Sequence, residues 1–290
     1  MSGTPGTILN SSAGSSSESF SRTNIQEEGV DEPDVVKTDG EYLYIASNDR
    51  VNIVDAVPAI NMHKVAQIVV PGSVNKIFIH GTQLTIIYSD YIYPPASALE
   101  KNAAESFSSS FYSTYRTRTG ILVSDISNPA APVTQRHEIY DGWLSAARSV
   151  DNTLHLVLEF MPPVVTAGID PMTLLPKRYR VGSDASVTDL GTAVDVSKIL
   201  HPEKPRWLNF VMIVSMDITQ PNSPPGVVAY LGDSYAIYAS PQALYIVQSD
   251  YRSFNNGEVT IQPVTSSTQI HKFTLHAGSV QAAASGTVAC

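Results

Sequence analysis

An all-β fold built from repeated four-stranded sheets is what this sequence predicts, on three observations. A weakly self-similar unit recurs four times along the 290 residues. Each copy holds short runs rich in Val, Ile, Leu and Tyr, separated by turn residues, which is the pattern of strands rather than helices. Asp closes the third run of the first three copies, at Asp55, Asp125 and Asp217, and Pro follows each one. Self-similarity at this spacing means one supersecondary unit stacked on copies of itself, and four strands per unit is the pattern of a β-propeller blade. The expected architecture is a β-propeller of about four four-stranded blades, closed by itself or forming part of a larger ring.

The units run at about 34–70, 74–140, 144–231 and 235–290, behind a Ser/Gly-rich tail at residues 1–22 that reads as disordered. First strands are expected at residues 35–38, 75–79, 146–150 and 235–239. They lead into tight turns at Asp39-Gly40, His80-Gly81, Asp151-Asn152 and Ser240-Pro241. Gly and Asn accept positive φ, so three of these suit two-residue hairpins, whereas Pro241 demands another turn. Second strands at residues 42–46, 84–88, 154–158 and 244–247 are apolar nearly throughout, which predicts burial on both faces. Third strands follow at 51–55, 121–126, 213–218 and 270–275, the last with Thr274 in place of Asp. An Asp at a strand end bonds backbone N–H groups of the next turn, and this structural role accounts for the recurrence. Outer strands at 64–68, 133–139 and 227–230 are more polar, and charges such as Arg136 and Glu138 read as guards of an exposed edge. The fourth unit ends in a thin strand at 280–284.

Composition narrows the function classes. The formal net charge is −9, which argues against nucleic acid as a partner, since that needs a basic stripe. The one cysteine, Cys290, allows no intrachain disulfide. No apolar run approaches the roughly 20 residues that span a bilayer as a helix, and the first residues lack the apolar core of a signal peptide. His-Glu-x-x-His, Gly-x-Ser-x-Gly and phosphate-cradling glycine loops are absent from the sequence, which favours a scaffold over an enzyme. His155 sits in an apolar run and reads as a satisfied core residue.

Residues 23–40, TNIQEEGVDEPDVVKTDG, followed by Tyr42-Leu43-Tyr44, resemble the opening of a family of bacterial and archaeal secreted proteins that carry a β-propeller domain of unknown function. Residues 238–246, YASPQALYI, support the same resemblance, which covers about 23–290. It implies a propeller domain over that span, an extracellular or cell-surface location, and further blades beyond the end of this chain. It carries over no catalytic residues.

The units differ mainly between second and third strands, where inserts run over about 90–119, 160–206 and 250–267. Strands alternate in direction, so these inserts leave from one end of the blades, and inserts gathered on one face mark a binding face. They are rich in aromatics and Arg, the residues favoured at recognition hot spots. The candidate binding residues are Tyr112, Tyr115, Arg116, Arg118, Arg178, Tyr179, Arg180, Tyr251 and Arg252, for a protein or glycan partner. Short helices are expected within 96–109 and 194–200. The acidic segment offers Glu27, Glu28, Asp31 and Asp34 as a candidate Ca²⁺ site, but its spacing is not that of an EF-hand and Pro33 interrupts it. The competing reading is an acidic lead-in that clips the N-terminal segment onto the ring. A hydrolase or lyase with a polar site at the propeller centre would require carboxylates or His from two blades to converge.

Overall fold

In a computed structural model, which describes residues 27–92, 116–162, 168–201, 209–249 and 267–289, the chain forms four successive sheets. A short strand β1 (Val30–Asp31) comes first. The first sheet is β2 (Val36–Thr38), β3 (Tyr42–Ser47), β4 (Arg50–Asp55) and β5 (His63–Val69). The core of the second is β6 (Ser73–His80), β7 (Gln83–Ile92), β8 (Arg116–Asp125) and β9 (Val133–Asp141). The third is built on β10 (Trp143–Val150), β11 (Thr153–Phe160), β15 (Phe210–Asp217) and β16 (Gly226–Leu231). The fourth is β17 (Ala236–Ser240), β18 (Ala243–Ser249), β19 (Ser267–His276) and β20 (Ser279–Ala289).

One hydrogen bond repeats in all four sheets and exposes the internal symmetry. The residue after each third-strand Asp, or after Thr274, donates its N–H to the first hairpin of its own sheet. The pairs are Ala56 to Glu41, Ile126 to Thr82, Ile218 to Asn152 and Leu275 to Gln242, all at 2.8–2.9 Å. The recurring Asp side chains close the next turn. Asp55, Asp125 and Asp217 accept from the N–H groups of Val57, Ser127 and Thr219. Gly40, Gly81 and Asp151 take positive φ in the first hairpins, as the turn geometry requires.

Apolar clusters fill the seams between successive sheets. Tyr44, Ile53, Leu84 and Tyr88 lie between the first and second, and Phe78, Ile121, Leu156 and Val214 between the second and third. Val157, Ile213, Leu244 and Phe273 lie between the third and fourth. Each large side chain fully buried in this way is worth about 1.5–3 kcal/mol relative to exposure. Among the described residues no such cluster joins the fourth sheet to the first. That explains a departure from the expected burial of second strands. All eight residues of β11 are buried, because its sheet has neighbours on both sides. β3 is mostly half-buried, because among the described residues one face of the first sheet has no neighbouring apolar cluster.

Three further expectations need correction. Residues 177–192 were expected in a loop of the third unit; instead they form a hairpin of β12 (Lys177–Val181) and β13 (Val187–Thr192) whose β12 pairs with β9 of the second sheet. This covers the edge that Arg136 and Glu138 were expected to guard. Both are buried: Arg136 bonds Glu138 (3.1 Å) and the Ser223 carbonyl (3.0 Å), and the Tyr140 hydroxyl donates to Glu138 (2.7 Å). The short helix expected at 194–200 is a single 3₁₀ turn, Val196–Lys198, capped by Asp195, and it ends because Ile199 and Leu200 (β14) pair in parallel with β16. The last strand is not thin, since β20 pairs with β19 along almost all of its eleven residues. The tail at 1–22 and the helix expected at 96–109 lie outside the described residues.

Two histidines are built into the seams as neutral rings. His155 is 2% exposed and shares a 2.7 Å hydrogen bond between its Nδ1 and the Ser215 hydroxyl. His137 Nε2 shares a 2.6 Å hydrogen bond with the Tyr88 hydroxyl, and the Tyr88 ring has room only because residue 120 is Gly: a Cβ there would sit 1.9 Å from it. Burial pushes both imidazoles down from 6.5 to about 4. In the unfolded chain they protonate near 6.5, so the stability from the neutral rings is complete above pH 6.5 and drains away as pH falls towards 4. Denaturant unfolding at stepped pH should show this decline, with His155 accounting for up to about 3 kcal/mol and His155→Gln flattening the curve.

Candidate binding face

The ends of the sheets that carry the inserts are adjacent in space. Gly142, just after β9, donates to the Thr117 carbonyl of β8 and lies against the Glu159 carbonyl of β11. Ser234, just before β17, donates to Glu159 Oε1 at 2.5 Å. The connections after β7, β11 and β18 therefore leave from one side of the molecule.

A charged row crosses the second sheet at this end. Asp90, Arg118 and Asp141 occupy neighbouring positions on β7, β8 and β9. Arg118 Nη2 pairs with Asp90 Oδ2, with both side chains about 15% exposed. Asp141 Oδ2 accepts the Lys177 N–H at 3.0 Å, which anchors the start of β12. Lys177 Nζ reaches Asp189 on β13 at 2.7 Å. The Lys177 ammonium, helped by the Gly191 N–H, holds the Asp189 carboxyl below its ordinary range. The guanidinium of Arg118 also stacks over the Tyr179 ring, 5.2 Å from its centroid. Burial and then the Asp141 charge push the Tyr179 phenol up. Signs thus alternate along the row from Asp90 to Asp189, and the partly buried Arg118 and Asp90 neutralise each other.

The structure brings together two of the nine candidate binding residues, Arg118 and Tyr179. Arg178 and Arg180 belong to β12 rather than to a loop. Alternation turns Tyr179 and Val181 to the first sheet, while Arg178 and Arg180 sit opposite Tyr140 and Glu138 on β9. Arg180 is exposed. Arg116 begins β8. Tyr112, Tyr115, Tyr251 and Arg252 lie outside the described residues. Sequence reasoning missed Asp90, Asp141 and Asp189, which become neighbours only through strand register.

A second polar group lies at the same end, in the seam between the third and fourth sheets. Glu159, 9% exposed, takes the Ser234 hydrogen bond, and Ser145 Oγ lies 2.7 Å from Ser234 Oγ. Trp143 is the cross-strand neighbour of Glu159 and is partly exposed. Burial, and then the Glu159 charge, raise the Asp233 carboxyl above its ordinary value.

Three of the four acidic residues considered for Ca²⁺ have protein partners. Glu27 accepts from the Tyr238 hydroxyl, Asp31 pairs with Lys37, and Asp34 accepts the Val35 N–H. Among the described residues no group of three or more His, Cys, Asp or Glu side chains stands close enough to hold a metal ion. Nor is any helix among them long and apolar enough to cross a membrane.

Consecutive, internally symmetric antiparallel sheets packed face to face define a repeat protein of the propeller class. The family described as beta propeller domain matches residues 20–289, and the chain belongs to it. No curated protein matches the chain.

The Arg118–Asp90 pair sets up a double-mutant cycle. Arg118→Met should strand the Asp90 charge in a largely buried site and cost about 2–4 kcal/mol in urea unfolding. Adding Asp90→Asn should recover at least half of that loss, and strict additivity would dismiss the coupling.

Proposed function

We propose that this chain is a non-catalytic propeller scaffold, extracellular or at the cell surface, that binds a protein or glycan through the insert end of its blades. In this reading the four sheets are four successive blades. The observation that carries the proposal is the stacked pair of Arg118 and Tyr179, with Arg178 and the exposed Arg180 on the other face of β12. Two different sequence units build it, on the side from which all three inserts leave. Arg and aromatic groups held on strands keep little freedom to lose on binding, which suits recognition. Binding to a glycan array and to cell-surface protein extracts should fall at least about tenfold in Arg178→Glu/Arg180→Glu, roughly 1.4 kcal/mol. It should fall further when residues 93–115 and 250–266 are replaced by Gly-Ser linkers. Undiminished binding in both variants would remove the assigned face.

A second reading, a hydrolase or lyase, is favoured by one observation: Glu159 and Asp233 approach each other in the seam, and one carboxyl is raised. A carboxyl raised by burial beside a second carboxylate suits acid–base work. A glycosidase and polysaccharide-lyase screen of the purified protein decides this. Any turnover found should drop at least about a hundredfold in Glu159→Gln, and a rate equal to the parent would discard the pair as catalytic groups.

A further inference from the structure

The segment ahead of the first sheet crosses the other three sheets before it enters its own. Glu27 accepts a 2.8 Å hydrogen bond from the Tyr238 hydroxyl on β17 of the fourth sheet. Gly29, at φ +86°, passes Pro241 of the β17–β18 turn so closely that a Cβ would stand 3.4 Å from its ring. Val30 and Asp31 then pair with Val150 and Ser149 on the inner strand of the third sheet. Val30 is 3% exposed and belongs to the apolar cluster between the third and fourth sheets. Asp34 exchanges both backbone hydrogen bonds with Ile77 on the inner strand of the second sheet, and β2 follows at once.

Two ion pairs hold this path. Lys37 Nζ, from the first sheet, bonds Asp31 Oδ1 and the Glu32 carbonyl, both at 2.8 Å. Arg148 Nη2, from the third sheet, pairs with Glu32 Oε1 at 3.3 Å. The side chains concerned are only partly buried, at 9–37% exposure, so salt can reach them.

We propose that residues 27–37 form a partly ionic strap that ties the first sheet to the third and fourth in place of an apolar seam. The other three junctions are sealed by packed side chains, which are insensitive to salt and rigid. Among the described residues no such cluster joins the fourth sheet to the first, whereas this one extended segment touches both. That segment is anchored by backbone pairing to β10 and β6, by the Glu27–Tyr238 hydrogen bond, by one buried valine and by two screenable charge pairs. Loosening the strap lets the first and fourth sheets move apart while each sheet stays folded.

The test is a distance measurement by pulsed electron resonance on spin-labelled protein, with Cys290→Ser removing the native thiol. Gln67→Cys on β5 with Thr287→Cys on β20 reports the first-to-fourth distance, and both positions are exposed. Gln67→Cys with Gln135→Cys on β9 reports the sealed first-to-second junction. In 1 M NaCl, where the screening length falls to about 3 Å, the first-to-fourth distribution should widen about twofold. Asp31→Asn/Glu32→Gln and Val30→Ser should widen it similarly at low salt, and the first-to-second distribution should stay narrow throughout. Equal widths in every condition would overturn the strap. So would widening of both pairs together, which would report general loosening. The salt arm needs no change in the strap itself, so it stands even if a strap variant folds poorly.

Discussion

A β-sheet with two apolar faces cannot stand alone in water, and every larger feature of this molecule follows from that constraint. The third sheet shows it most plainly. β11 buries all eight of its residues because sheets lie against both of its faces. Its backbone is satisfied within the sheet and its side chains by the neighbours, so any polar group there must bring its own partner. His155 does so with Ser215, and Arg136, on β9 of the neighbouring sheet, reaches Glu138 and the Ser223 carbonyl. The buried polar groups of the seams are thus positioned by the stacking rather than the reverse.

Much of this was legible in the residue pattern, because the signals were local. Hairpins written as Asp39-Gly40 or His80-Gly81, apolar second strands and Asp at third-strand ends each depend on contacts within a few residues. The Asp recurrence had a local physical reading, an Asx turn, and the structure supplies it three times. The polar outer strand at 133–139 was legible as a strand and misleading as an edge. Charge on a strand signals exposure only when nothing pairs beyond it, and the element that pairs beyond β9 lies about forty residues downstream.

The rim on the insert end was legible in part and for the same reason. The Arg-rich run at 177–181 stands out by composition, and Arg118 by its place beside an insert. Their partners Asp90, Asp141 and Asp189 carry no local mark. They are ordinary carboxylates until register sets them in one row across β7, β8, β9 and the β12–β13 hairpin. Long-range charge order of this kind is written in the pairing of strands, which one sequence does not display.

The β12–β13 hairpin has a consequence for how such an architecture can grow. A ring of identical blades gains or loses members by copying or deleting one repeat. Here the third repeat lends a strand pair to the second, so excising the third would strip the edge of β9 and take Ser223 from Arg136, and excising the second would leave β12 without β9. The two are indivisible, and any inheritance that lengthens or shortens this array has to carry them as one piece.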